Sequence, residues 1–362
     1  MTLFKSTILG SAAALVAVTG ASAADLAISK PAPAEYVRIC SAEGKGFFYI
    51  PGTETCLRVS GQIRFRVNLN SDPGHDRDAD KFQFRTRARV QVDARQETEF
   101  GKLRAFIRLQ GERRNGADRG VTIDQAFIQW GGLVAGRTTS LFAADTIFDS
   151  AGFDDPADLI GYQFTTDGGF YGGVSLEAQR DVGAIGRSMP DIAGRVGFEQ
   201  DWGKVQLSAV AVQNRFSRAA DEAEFGFAVQ GHGGFNIGGG KLTVQALYAS
   251  DASGYYDGLD FLGGDFGERW GLGAKYTANF NPNFEATLGV GYDHFDADGA
   301  NNDFHILTIG ANAFWKPLGN SDFLIGPEVV YRTSDEEVFG GGLNNGGEDS
   351  SLAGFFQILR NF

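Results

Sequence analysis

Long apolar runs are missing from this chain beyond its first residues. A membrane-spanning helix needs about 20 consecutive apolar residues. After Val18 no stretch approaches that length, which excludes a bundle of membrane helices. Cysteine is almost absent, with two in 362 residues. That excludes a disulfide-dense scaffold and a cysteine-built zinc centre. The four histidines (His75, His232, His294 and His305) are scattered without the spacing of paired ligands. No metal or cofactor is therefore expected. A Gly-x-Ser-x-Gly elbow is missing, and no catalytic set stands out, so the chain does not read as an enzyme. A surplus of positive charge is missing too: 32 Lys and Arg face 45 Asp and Glu, a net of −13. This balance disfavours nucleic acid as a partner. Methionine (2) and proline (9) are scarce beside phenylalanine (31) and glycine (51), a profile that suits many aromatic-rich strands better than a soluble α/β fold.

What is present is alternation. Across residues 57–69 every odd position is apolar or Gly and every even position polar or charged. Successive strand side chains point to opposite faces, so the segment has one greasy face and one wet face. Phe82, Phe84, Ala88, Val90, Val92 and Ala94 then alternate with Gln83, Arg85, Arg87, Arg89, Gln91, Asp93 and Arg95. Such segments recur to the last residue, and about sixteen strand candidates can be counted, near the range of membrane barrels. Candidates at 103–110 and 123–130 leave 111–122 between them. Short connections carry turn chemistry, such as Gly131-Gly132 and Asn281-Pro282-Asn283, whereas 71–81, 254–267 and 334–349 are long and polar. Short turns on one rim and long loops on the other are the asymmetry of outer-membrane barrels. A soluble sandwich shares the alternation, but not the rim asymmetry, the strand number or the export signal described next.

Lys5, the apolar run 8–18 and the small residues Ala21-Ser22-Ala23 form a cleavable export signal over 1–23. The expected organisation is a signal peptide at 1–23, an N-terminal periplasmic segment at 24–56, and a barrel at 57–362. Export reaches an oxidising space, so Cys40 and Cys56 are expected to form a disulfide closing a small loop. Trp130, Trp202 and Trp315 fall beside short turns and suit an interfacial aromatic belt. Two motif-like stretches are set aside. Asp76 to Asp80 begins like a calcium loop, but Arg87 stands at the twelfth position. Gly238-Gly239-Gly240-Lys241 lacks the first glycine of a phosphate loop, with Phe235 in its place.

The run Phe48-Tyr49-Ile50-Pro51-Gly52-Thr53-Glu54-Thr55-Cys56-Leu57-Arg58-Val59, preceded by Glu35-Tyr36-Val37-Arg38-Ile39-Cys40, closely resembles the N-terminus of the alphaproteobacterial porins. Residues 127–133 and the terminal Phe362 add weaker likeness, with Arg360 departing from the usual apolar choice. The resemblance implies an all-β, transmembrane antiparallel barrel of sixteen strands with a third loop folded into the lumen. It also implies a homotrimer in outer-membrane lipid and lipopolysaccharide that passes small hydrophilic solutes and ions by passive diffusion. A substrate-selective channel on the same barrel is one alternative. A closed-barrel adhesin or structural protein is another.

The candidate third loop spans about 138–159 and carries Asp145, Asp149, Asp154, Asp155 and Asp158 among large apolar residues. By alternation, Arg58, Arg64, Arg66, Arg85, Arg87, Arg89, Arg95, Arg104 and Arg108 point inward. Crowded like charges are tolerable in a hydrated lumen and not in a dry core. Arg64, Arg66, Arg85, Arg87 and Arg104 are thus the expected basic side of a constriction, opposed by the five loop aspartates. Whether such a pore prefers cations or anions stays open at this stage.

Overall fold

The computed structural model describes residues 38–71, 82–178, 189–214, 224–255, 267–296, 303–335 and 349–362. The expected signal peptide and most of the long loops at 71–81, 254–267 and 334–349 lie outside the described residues.

Each alternating segment forms a strand. After the short β1 (Phe48–Tyr49) come β2 (Cys56–Ser71), β3 (Phe82–Thr98), β4 (Gly101–Arg114), β5 (Ala117–Trp130) and β6 (Leu133–Thr139). Next are β7 (Pro156–Thr165), β8 (Phe170–Ala178), β9 (Asp191–Gln200), β10 (Gly203–Asn214), β11 (Glu224–Ile237) and β12 (Gly240–Ser250). Then follow β13 (Glu268–Asn281), β14 (Phe284–Asp296), β15 (Phe304–Trp315), β16 (Phe323–Ser334) and β17 (Asp349–Asn361). From β2 to β17 every strand pairs antiparallel with its successor, and β17 pairs with β2 from Leu352↔Ser71 to Asn361↔Gln62. The result is a closed barrel of sixteen strands. Closure leaves the sheet no open seam, the usual requirement for strands in lipid.

The last residue completes the seam. Phe362 N–H donates to Gly61 O at 2.9 Å, and Gly61 N–H donates to Phe362 O at 2.8 Å. The Phe362 ring lies over Gly61, where any Cβ would collide with it.

The two faces follow the sequence parity. Val59, Ile63, Phe84, Val90, Leu272 and Leu288 are exposed on the outside, far more apolar surface than a soluble protein tolerates. Trp130, Trp202 and Trp315 are exposed on this face beside short turns, as expected. Polar side chains alternate with them and turn inward.

Two strands differ from the sequence expectation. β4 and β5 run through the interval 111–122 and meet at a two-residue turn, Asn115-Gly116. Both turn residues have positive φ, 46° and 79°, the left-handed pair that matches hairpin twist. Strand β6 is short, seven residues. Its ladder with β5 covers only Ala126↔Arg137 to Trp130↔Leu133, so residues 117–125 of β5 have no strand partner on that edge among the described pairings.

Before the barrel, Cys40 and Cys56 are joined in a disulfide, as expected, with a Cα–Cα distance of 5.9 Å. Phe47 is buried against them, and the guanidinium groups of Arg58 and Arg95 lie over its ring at 4.7 and 4.6 Å.

Candidate functional site

The inward arginines of β2, β3 and β4 form three groups. Register brings Arg64 opposite Arg87 and Arg66 opposite Arg85 across β2 and β3. Arg85 and Arg87 share Glu112 on β4, at 2.7 and 2.9 Å, and Arg114 binds its other oxygen. Arg66 Nε donates to Gln357 at 2.9 Å and its guanidinium stacks on Phe355. Arg64 makes no ion pair among the described residues, so this block carries more positive than negative charge. Arg104 stands apart from the block. It binds Asp93 at 2.9 Å, together with Arg95 at 2.7 Å and Arg58 at 3.6 Å, nearer the short turns. A further carboxylate, Asp124, takes Arg108 and Arg89.

Asp93, Glu112 and Asp124 are the residues that sequence reasoning missed. Asp93 and Glu112 follow the same parity as the arginines. Asp124 sits where the β4–β5 register shifts between Ile123 and Gln125, which the sequence alone does not mark.

Residues 140–155 connect β6 to β7 and are tied to polar groups of the charged face over many strands. Glu177 on β8 accepts from Ser140 Oγ at 2.6 Å and Leu141 N at 2.9 Å. Gln206 on β10 donates to Ala143 O at 3.0 Å, and Gln230 on β11 donates to Phe142 O. Lys275 on β13 donates to Thr146 O at 2.6 Å. Asp293 on β14 accepts from Ser150 Oγ and from Ala151 N, and is paired with buried Arg269 at 2.6 Å. Arg332 on β16 donates to Phe148 O at 2.9 Å.

Apolar packing supports the same placement. Leu141, Phe142, Ala143 and Phe153 are buried with Val210, Val212, Ala228, Leu247 and Tyr255. Farther along, Ser150 and the Phe148 ring occupy space that a Cβ at Gly291 or Gly310 would fill. Phe148, Asp149 and Ala151 hold φ of 54°, 59° and 55°. This region is sparsely populated for such side chains, at a cost of order 1–3 kcal/mol each, and persists only where contacts enforce it.

The predicted aspartates do not form one row. Asp149 is exposed and close enough to Arg66 and Arg332 to interact electrostatically with both. Asp145 lies 3.9 Å from Lys241 on β12. Asp154 and Asp155 are exposed on the returning limb, where Asp155 O accepts from Ser140 N. Asp158 does not join them. It lies within β7, shares parity with the exposed Ile160 and Tyr162, and pairs with Arg137 at 3.5 Å on the outer face.

A closed barrel of sixteen strands, apolar without and charged within, with paired arginines and carboxylates along its inner wall, defines a porin-type outer-membrane channel. Similarity to known proteins agrees. The chain belongs to the porin subfamily, whose family model matches residues 25–353. It is 32% identical over 390 residues to porin Omp2b of Brucella neotomae, covering 99% of each chain. Among solved structures, it resembles the outer-membrane channel DcaP of Acinetobacter baumannii, with a TM-score of 0.71 at 15% identity, over 87% of this chain and 99% of that one. The anion-selective porin of Comamonas acidovorans gives 0.60 at 15% identity, over 85% and 100%. A trimer form of OmpT from Vibrio cholerae gives 0.55 at 12% identity, over 86% and 100%. The chain is thus an outer-membrane porin forming a channel, not the closed adhesin or structural barrel considered as an alternative.

Proposed function

We propose that the channel is a passive-diffusion pore for small hydrophilic solutes and ions, narrowed where residues 140–155 cross the lumen. Arg64, Arg66, Arg85 and Arg87 form its basic side and Asp149 faces them. The observation that carries this reading is the reach of the loop, from Glu177 on β8 to Arg332 on β16. Thr139 on β6 to Thr146, whose carbonyl accepts from Lys275 on β13, is seven residues, about 24 Å at about 3.4 Å each. Around the closed ring the shorter way from β6 to β13 is seven strand steps, about 34 Å at about 4.8 Å each. A path shorter than the wall is a chord across the interior. Lipid gives the same sense, because backbone leaving a sheet within a bilayer needs protein or water beside it, not acyl chains.

A transverse field between Arg66 and Asp149 would orient water and dipolar solutes and make bulky apolar molecules costly to pass. The test is reversal of Arg64 and Arg66 to Glu, with single-channel recording in planar bilayers under a salt gradient. The reversal potential should shift toward cation preference, by tens of millivolts if the charges act at the narrowest point. Folded double variant with unchanged reversal potential and conductance removes the constriction from this wall.

The same reading takes 1–23 as a signal peptide removed on export, 24–56 as a periplasmic segment, and the mature barrel as a homotrimer in lipid and lipopolysaccharide. The edge of β5 at 117–125, without a strand partner among the described residues, supports the trimer. Val121 and Ile123 are exposed beside it, and such an edge is stable in a membrane only when another protein surface covers it.

A further inference from the structure

A second group of cations lies away from the arginine block, at the short-turn mouth. A recess of about 400 Å³ is lined by Thr165, Gly169, Tyr171, Arg195, Glu199 and Lys204. Gly169 belongs to the β7–β8 turn, and Glu199 and Lys204 flank the β9–β10 turn, which fixes the depth of the recess. By parity its side chains face inward: Arg195 alternates with exposed Val196, and Tyr171 with exposed Phe170.

Tyr171 is a fixed platform in this recess. It is buried, and its hydroxyl donates to Gln206 Oε1 at 3.1 Å. Gln206 in turn holds Ala143 O of the loop. Lys204 Nζ and the Arg195 guanidinium both lie against the Tyr171 ring, at 5.3 and 5.9 Å from its centre. Arg195 spends one terminal nitrogen on Gln163 Oε1, at 2.5 Å. Its Nε is enclosed and has no hydrogen-bond partner among the described residues. Neither Arg195 nor Lys204 forms an ion pair among the described residues. Glu199 borders the recess and Asp145 approaches from the loop side, but Asp145 is nearest to Lys241.

A guanidinium and an ammonium, neither in an ion pair among the described residues, placed over one rigid ring at a cavity open to water, match the oxygens of a small oxyanion. We infer that this recess is a binding station for a small oxyanion, a carboxylate or phosphate, at the short-turn mouth of the channel. The inference rests on the inner face being the conducting path. It goes beyond a charged constriction, because it places a second, separate stop for the solute below the loop. An anion held there would wait between the arginine block and the mouth, and a station of this kind makes flux saturate at concentrations where a plain aqueous pore stays linear.

The experiment uses the folded wild-type protein and two single variants, Lys204→Gln and Arg195→Gln. Each is inserted into planar bilayers in potassium chloride, and inorganic phosphate or succinate is added to one side and then the other. The wild type should show a concentration-dependent block that is stronger from one side. The half-blocking concentration from that side should rise about tenfold in each variant, the loss expected for one charge-assisted contact. The anion that blocks at lower concentration identifies whether phosphate or carboxylate is the better fit. A second measurement needs no variant: phosphate should slow acylation of Lys204 in the detergent-folded wild type and leave Lys241 unaffected, as read by mass spectrometry. Equal block in all three proteins, or Lys204 acylation indifferent to both anions, overturns the station while leaving the channel itself intact. Absence of any conductance in the folded wild type would instead strike the conducting path, and the station with it.

Discussion

At the scale of single residues, charge placement decides more than charge number. Glu43 sits in the segment before the barrel, with its side chain 4% exposed, bound by Arg95 at 3.1 Å and Lys102 at 2.9 Å. Burial alone would raise its pKa, but the hydrogen bonds from Lys102 and Arg95 outweigh that and hold it below the usual 4.5. A carboxylate with a lowered native pKa stabilises fully above its unfolded value, and that contribution is lost as pH falls through the native value. The grip of this segment on the barrel should therefore be constant near neutrality and weaken below about pH 4.5. Because both basic partners are partly exposed, the pair is discounted to about 1 kcal/mol, or roughly fivefold in local opening. Cys40 and Cys56 are buried beneath it, so their reduction by a small thiol reports that opening. Glu43→Gln should speed reduction about fivefold at neutral pH and flatten its dependence below that range. Equal rates in both proteins would show that Glu43 does not hold the segment. The inward arginines were legible from parity alone. Asp158 was not, because its face depends on where β7 begins, and a strand start two residues ahead of it gives it the parity of Ile160.

At the scale of elements, the loop between β6 and β7 behaves as a strap held at several points. Its length and its mixture of aspartates with large apolar residues were legible in the sequence. Its seat was not. The seat consists of glycines at inward positions of β14 and β15, Gly291 and Gly310, together with carboxylates and amides on strands up to eight places away around the ring. No local pattern ties those residues to the loop, since they lie up to about 160 positions from it in the sequence. The hairpin of β4 and β5 was blurred for a different reason. Register shifts near Arg108 and Gly111 break the two-residue period, so the sequence between 111 and 122 loses its alternation although the strands continue. The strap suggests its own test. Asp293 binds Ser150, Ala151 and Arg269 together, and Arg269 is 1% exposed. Removing one partner of a buried pair costs about 3–5 kcal/mol, because the other charge stays buried. Asp293→Asn should release the turn at 147–151 first, since Phe148, Asp149 and Ala151 sit in strained φ that anchoring must hold. The expected signs are noisier open-channel current and faster protease cleavage within 140–155, with the barrel still folded. A quiet, protease-resistant variant would mean that Gln206, Gln230 and Glu177 hold the loop without this anchor.

At the scale of the whole molecule, the wall is uneven, and that unevenness bears on assembly. β3, β4 and β5 run 17, 14 and 14 residues, while β6 runs seven. The tall β4–β5 hairpin therefore stands beside a low wall, with residues 117–125 unpaired on one edge among the described ladders. Backbone donors and acceptors in hydrocarbon need partners, and the apolar Val121 and Ile123 show that this edge is not built to face open water. Under the proposed trimer, the surface that meets both needs is the low wall of a second copy of the chain. If so, a charge placed there should separate subunits without undoing the barrel. Ile123→Asp should convert a detergent-resistant trimer to monomer on unheated gels and leave the heat-shifted mobility of the folded barrel unchanged. Leu288→Asp, at an equally exposed position on β14 far around the ring, puts a charge of about the same membrane cost on a surface left to lipid. It should fold as well or as poorly as the first variant, yet keep the trimer. Loss of the trimer in both variants would mean that bilayer insertion, not the edge of β5, sets assembly, and a trimer retained in both would move the subunit contact to another part of the wall.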